Sequence, residues 1–292
     1  MIKEFLDYLK FERNYSPRTI ESYEADLVEF GQFFENLEGH LTWQTVDTDV
    51  IRDWMESMMD RGNSARSVNR RLSALRSLYR FALSHKLVSR DPAHLVKGPK
   101  ADKPLPYFLR EKEMDRLLDS RMWKDDYKDV LARTLIITFY ETGIRLSELT
   151  GLNDGDVNFI NHELKVTGKR NKQRIIPFGE ELENALRKYM DVRDKEVTRL
   201  EDGLFLNPKG RRISNPQVRK IVEDKLSLVT TIKKRSPHVL RHTFATAMLN
   251  NRAGLESVSR LLGHASIATT EIYTHTTFEQ LKKEYQSAHP RA

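Results

Sequence analysis

A mainly helical, α+β chain is the fold class expected of these 292 residues: an all-helical N-terminal domain, then a mostly helical domain with a small antiparallel sheet. Three observations lead there. Apolar side chains recur at helical spacings through the first ninety positions, a Pro-rich stretch then interrupts them, and beyond it only two short runs alternate as strands do. At this length each domain can bury a core of its own.

The elements follow in order. Phe5, Tyr8, Leu9 and Phe11 mark a first helix. Ser16-Pro17 opens a second with proline near its first turn, where the missing N–H costs nothing, and Ile20, Tyr23, Leu27, Phe30 and Phe34 continue it. A third helix covers 49–60. The fourth, 65–84, is the clearest: Val68, Leu72, Leu75, Tyr79 and Ala82 form one stripe, while Arg66, Arg70, Ser73, Ser77 and Arg80 repeat its spacing on another. Pro92, Pro99, Pro104 and Pro106 make 91–107 the expected linker, dividing a domain of 1–90 from one of 108–292. Helices at 110–118 and 127–142 follow, the second stopping at Gly143. Strands are expected at 164–167 and 173–178 around a turn at 168–172, with helices from there to the end.

Charge is distributed unevenly. Residues 1–60 carry 5 Lys or Arg against 14 Asp or Glu, whereas residues 61–100 carry 10 against 1. Such a basic block can neutralise phosphates and make binding salt-sensitive, although a water-facing helix surface has the same composition. Arg66, Arg70, Arg71, Arg76 and Arg80 are the candidate DNA-binding residues of this block, joined by Lys172 in the second domain. No apolar run approaches the roughly 18 residues of a membrane helix, and no signal-peptide pattern opens the chain. With no cysteine there is no disulfide, thiolate metal site or cysteine nucleophile, which fits a cytoplasmic protein.

The chemistry concentrates near the end. His238-Val-Leu-Arg241-His242, Gly263-His264 and Tyr273 gather imidazoles, a guanidinium and a phenol, with Arg145 and Lys169 upstream. That inventory suits displacement at a phosphodiester, which needs cationic donors around its oxygens, a nucleophile and a proton donor for the leaving alkoxide. Each piece alone has a plainer reading. His238 and His242 could pair on a metal, but the zinc-protease pattern needs Glu where Val239 stands, so no metal is expected. Residues 255–273 could form a helix-turn-helix reader, and Arg145 could be an ion-pair partner of Glu148.

Taken in order, Glu141-Thr-Gly-Ile-Arg145-Leu-Ser-Glu148, Thr167-Gly-Lys169, His238-x-x-Arg241-His242, Leu262-Gly-His264 and Tyr273 resemble the tyrosine site-specific recombinase (phage integrase) family, and within it the chromosomal Xer recombinases. The resemblance covers nearly the whole chain, because a helical DNA clamp, a linker and a mixed catalytic domain are also that family's layout. It implies that Tyr273 attacks a backbone phosphate to form a 3′-phosphotyrosyl link, that Arg145 and Arg241 hold the non-bridging oxygens, and that Lys169 protonates the departing 5′ oxygen. His238 and His264 would contact the phosphate and move the nucleophile's proton, and Glu148 would orient catalytic groups. Neither metal nor ATP is needed in such a cycle, and no cofactor is implied. Many relatives have Gly where Arg170 stands, which makes Lys172 a second candidate for the acid.

The resemblance further implies a partner in double-stranded DNA, a homo- or hetero-tetramer with a related recombinase on two duplexes, and room for a DNA translocase as regulator, with no membrane involved. Phe278, Leu281 and Tyr285 put an apolar stripe on a final helix. In the family that helix docks on a neighbouring protomer; folding back on its own domain is the alternative. Competing functions are the integrase or transposase of a mobile element, a non-catalytic architectural DNA-binding protein, and a type IB topoisomerase. The chain starts almost at once with the helical clamp, so the extra arm-binding domain common in integrases is expected to be missing, and a mere binder has no need of six catalytic side chains.

Overall fold

The computed structural model describes residues 1–39, 42–102, 106–168, 171–263 and 275–291. The chain divides into two compact units, Met1–Pro104 and Leu105–Ala292.

The first unit holds α1 (Ile2–Phe11), α2 (Pro17–Glu38), α3 (Thr48–Asp60) and α4 (Ala65–Ser84). Each start after the first is capped by an oxygen side chain: Ser16 accepts from the Thr19 N–H, Asp47 from Asp49 and Val50, and Ser64 from Ser67. The expected apolar stripe of α4 is the centre of the core, with Val68, Leu72, Leu75, Tyr79 and Ala82 fully buried against the other three helices. Leu78 and Phe81 widen that face beyond the stripe. The Tyr79 hydroxyl donates to the Trp43 carbonyl at 3.0 Å, and Phe30 meets Trp54 edge-on.

The first part of the stretch expected to be a linker is packed onto this unit. Ala93 and Val96 lie in its core, the Arg76 guanidinium donates to the Ala93 and Val96 carbonyls, and the Asn69 amide donates to the Pro99 carbonyl. The Pro-rich composition there reflects a tightly held irregular segment, whose carbonyls are satisfied by α4 side chains.

The second unit runs α5 (Glu111–Leu118), α6 (Tyr127–Thr142), α7 (Leu146–Thr150), β1 (Val157–Asn158), β2 (Glu163–Thr167), β3 (Gln173–Pro177), α8 (Glu180–Glu196), α9 (Asn215–Ser227), α10 (Pro237–Asn250), α11 (Leu255–Leu262) and α12 (His275–Ala288). The sheet is antiparallel in the order β1-β2-β3, with Leu164 opposite Ile176 and Val166 opposite Arg174. Helix α6 is buried all round between α8, α9 and α10, which is why its sequence carries little amphipathic pattern. Two elements were not expected: α7 spans five residues and β1 two, too short for any period to show.

Helix α12 packs on its own unit. Leu281, Tyr285 and Ala288 are buried, the Tyr285 ring stacks on His289, and Arg291 pairs with Glu181 and with Asp115 at 2.9 Å. The third residue of the expected stripe, Phe278, lies outside the residues whose side chains are described. Beneath Tyr285, the buried Glu141 accepts from the Gly179 N–H at 3.0 Å and faces the Tyr285 hydroxyl at 3.4 Å. The His289 Nε2–H donates to the Tyr140 carbonyl while Nδ1 accepts from the Arg291 N–H, which fixes a neutral imidazole.

These two buried groups titrate in opposite senses. Burial pushes Glu141 up from 4.5 to about 8, so the folded state keeps a proton that the unfolded state releases, and this contribution to stability is lost as pH rises from 4.5 through about 8. Burial lowers His289 from 6.5 to about 4, so its contribution is lost as pH falls from 6.5 through about 4. Between 4.5 and 6.5 the two slopes oppose each other. The thermal midpoint is expected to be highest there and to decline on the alkaline side by about 1.4 kcal/mol of stability per pH unit. Glu141→Gln should flatten the alkaline decline and leave the acid one; melting curves at pH 5.5 and 8 check it.

Candidate active site

Two helix ends meet at the centre of the second unit. α6 stops at Gly143 with φ +58° and α11 at Gly263 with φ +64°, the left-handed conformation that ends helices and that glycine adopts without strain. A Cβ on Gly143 would also sit 2.5 Å from the Phe244 ring, so the close approach of α10 needs glycine there. The last carbonyls of a helix have no partner within it. Here arginines supply the donors. Arg241 on α10 donates Nη1–H to the Gly143 carbonyl at 2.5 Å and Nη2–H to the Leu262 carbonyl at 2.7 Å. Arg145, at the start of α7, donates to the Gly263 carbonyl at 2.7 Å, and Arg174 on β3 donates Nε–H to the Leu261 carbonyl at 2.8 Å. Three consecutive carbonyls at the negative end of α11 thus hold three guanidiniums from three elements.

Glu148, one turn after Arg145 on α7, ties two of them together. Its Oε2 accepts from the Arg145 main-chain N–H at 2.8 Å and its Oε1 from Arg145 Nη1 at 2.9 Å, while Arg174 meets both oxygens with a two-pronged fork at 2.9 Å. Burial alone would raise this carboxyl, but the bonds and charge of Arg174 and Arg145 outweigh it and hold the group at about 2. Glu148 is therefore ionised at any working pH. Desolvation, with Arg145 and Arg174 nearby, brings Arg241 down to about 10, which still leaves it charged at neutrality. Three cations face one carboxylate, and the surplus of positive charge is what a phosphate needs as negative charge grows on it during displacement. A guanidinium has five N–H donors, so Arg145 and Arg241, each committing two to the protein, keep others for a ligand. The Arg145 side chain is 37% exposed; that of Arg174 is 10%.

His238 lies in the first turn of α10, and His242 follows one turn later beside Arg241. Both are held below the usual imidazole value, His238 by desolvation and then by the charges of His242, Arg241, Arg219 and Lys234, and His242 by desolvation and Arg241. Neutral imidazoles at pH 7 can accept a proton. The structure thus brings together Arg145, Glu148 and Arg241, with His238 next to them on α10. Lys169, His264 and Tyr273 lie outside the described residues. Their chain neighbours are placed: Gly168, before Lys169, donates to the Lys172 carbonyl at 2.8 Å across the hairpin, and Gly263 precedes His264. Lys172 itself is exposed.

Sequence reasoning passed over Arg174. Its signal was available: strand alternation puts it on the same face as the buried Ile176, opposite Val166, and an arginine on an inward face requires a partner. Arg219 and Lys234 were passed over too, since nothing in their spacing links them to His238.

The arginines of α4 separate into two groups. Arg70 is bound to the buried Asp26 and to Ser22, Arg71 to Glu29 at 3.1 Å, and Arg76 to main-chain carbonyls. Arg66 and Arg80 are exposed, with no side-chain partner among the described residues. Replacing Arg66 and Arg80 together by Glu is expected to weaken DNA binding and lower the slope of log K against log salt by about 1 per lost phosphate contact. Arg70→Ala should instead lower the melting point, since the buried Asp26 then keeps only the Arg71 guanidinium, 3.8 Å away. A salt titration of DNA affinity and a thermal melt tell these apart.

Residues 107–280 match the phage integrase family, and residues 2–86 match the phage integrase N-terminal SAM-like domain. Tyrosine recombinase XerC of Chlorobaculum tepidum is 39% identical over 99% of this chain and 94% of its own length. Tyrosine recombinase XerD of Oceanobacillus iheyensis is 36% identical over 100% of this chain and 98% of its own. Among solved structures, XerH site-specific recombinase in a post-cleavage complex with a palindromic difH substrate superimposes with a TM-score of 0.73 at 23% identity, over 97% of this chain and 83% of that one.

Proposed function

Because this chain belongs to the phage integrase family of tyrosine recombinases, we propose that it exchanges strands between paired chromosomal sites, as in the resolution of chromosome dimers at dif-like sequences during cell division. The enzyme breaks and rejoins DNA without a cofactor of its own in this scheme. The observation that carries the reading is the cluster of Arg145, Arg174 and Arg241 on three consecutive carbonyls ending α11, with Arg145 and Arg174 also bound to the Glu148 carboxylate.

In the proposed step, the Tyr273 oxygen attacks the scissile phosphorus, losing its proton to a neutral imidazole, with His238 and His264 as the candidates. The bond to Tyr273 forms as the bond to the 5′ oxygen breaks, and Lys169 supplies the proton that the 5′ oxygen takes. Arg145 and Arg241 hold the non-bridging oxygens as charge builds, a task for which a planar, permanently charged fork suits better than lysine. The 3′-phosphotyrosyl link conserves the energy of the broken bond, so a 5′-hydroxyl from another strand reverses the attack without ATP. The first unit is assigned to clamping the duplex, through Arg66 and Arg80, and the second to catalysis. The working assembly is a tetramer of this chain, alone or with a related recombinase, on two duplexes in the cytoplasm, with a DNA translocase as a candidate regulator.

A supercoiled plasmid carrying two directly repeated copies of a candidate chromosomal site tests the proposal. Incubation with this protein, alone and with a second recombinase from the same genome, should release two smaller circles. Relaxation of plasmids with no such site, and no circles from plasmids that have it, would mean a topoisomerase instead.

A further inference from the structure

We propose that Arg174 is a positioning residue for strand cleavage: it fixes Glu148 and the last turn of α11 so that Arg145 meets the scissile phosphate in one orientation. The proposal rests on the cleavage reading given above. Glu148 Oε1 and Oε2 each take one donor from Arg145 and one from Arg174, so the carboxylate that orients Arg145 is itself oriented from the other side. The Nε–H of Arg174 meanwhile bonds to Leu261 O, two residues before the Gly263 carbonyl that accepts from Arg145. Arg145 is thus held at two points, and Arg174 anchors both.

Two glycines show how closely the pair is enclosed. A Cβ on Gly263 would lie 3.1 to 3.3 Å from the Arg174 side chain, and one on Gly168 would lie 3.1 Å from Glu148 Oε1. The Arg174–Glu148 pair therefore fills the space between the residue preceding Lys169 and the residue preceding His264. Arg174 spends three of its donors on Glu148 and α11, one more than Arg145 or Arg241 commits to the protein, and its assigned role is to act on substrate through Arg145. Lysine could keep the charge at this position but not the fork with its third bond to α11.

The test uses the full chain and a nicked suicide substrate bearing the site. DNA affinity, melting point and the single-turnover rate of adduct formation at saturating protein are measured for wild type, Arg174→Lys, Arg174→Gln and the double variant Arg174→Gln with Glu148→Gln. A displacement of about 1 Å at a reacting group costs on the order of 100-fold in rate. Arg174→Gln should therefore bind DNA within about threefold of wild type yet form adduct about 10- to 100-fold more slowly, with Arg174→Lys between the two. The double variant replaces the buried Arg174–Glu148 pair by two neutral amides, leaving the part-exposed Arg145 its bond to the Gly263 carbonyl, so it reports even where Arg174→Gln fails to fold; it should be at least as slow, with affinity retained. A rate within threefold of wild type in the folded double variant, or a rate that falls only in proportion to affinity, overturns the proposal. No adduct from wild type would remove the cleavage reading, and this proposal with it.

Discussion

Arg241→Ala is expected to lower the single-turnover rate of DNA cleavage by about 10²- to 10³-fold, the usual cost of losing one preorganised donor at a developing oxyanion. Arg241 is 8% exposed, and its orientation is set by the carbonyls of Gly143 and Leu262, so little reorganisation is needed when the phosphate gains charge. DNA affinity should fall far less, since most binding comes from phosphates along the duplex. Stability should fall as well, because two helix ends lose their cap; about 1 to 2 kcal/mol is the scale for such contacts. Arg241→Lys separates the two roles. It keeps a charge near the phosphate but cannot bridge both carbonyls, and its rate should lie between those of wild type and Arg241→Ala. Adduct formation at saturating protein, paired with a melting curve, measures both quantities.

Tyr285→Ala should cost about 3 to 5 kcal/mol of stability, the range for truncating a large buried aromatic side chain. Tyr285 is 1% exposed in the main core of the second unit, stacks on His289 and covers Glu141. Tyr285→Phe removes only the hydroxyl and should cost about 1 kcal/mol. A denaturant titration of the isolated protein decides the matter. If α12 served only to dock on a neighbouring protomer, dilute protein without DNA would show no loss for Tyr285→Ala.

The α4 helix shows what sequence makes legible. Its apolar stripe could be read directly because the burying partner of each residue is the whole core, and periodicity reports a face without needing to know what lies across it. Its arginines could not be sorted the same way. Asp26, which claims Arg70, stands 44 positions away, and the carbonyls that claim Arg76 belong to a segment with no period at all. Arg145, Glu148 and Arg241 stand in ordered motifs, and the structure adds that the two arginines cap helix ends, Arg241 those of α6 and α11 and Arg145 that of α11. Arg174 has no motif of its own; its role emerges only when β3, α7 and α11 are seen together. The two placements open to the final helix share one sequence signature, an apolar stripe; in this chain Leu281, Tyr285 and Ala288 of α12 are buried on their own unit.

Adduct formation by Tyr273 separates a strand-exchanging enzyme from a protein that only binds DNA. The full chain is incubated with a nicked suicide substrate bearing a candidate recombination site, with and without EDTA, and resolved on a denaturing gel. A covalent protein–DNA band that is indifferent to EDTA and vanishes in Tyr273→Phe, while DNA binding persists, is the predicted result. A band that survives in Tyr273→Phe, or tight binding by wild type with no band at all even when a second recombinase is added, would contradict it.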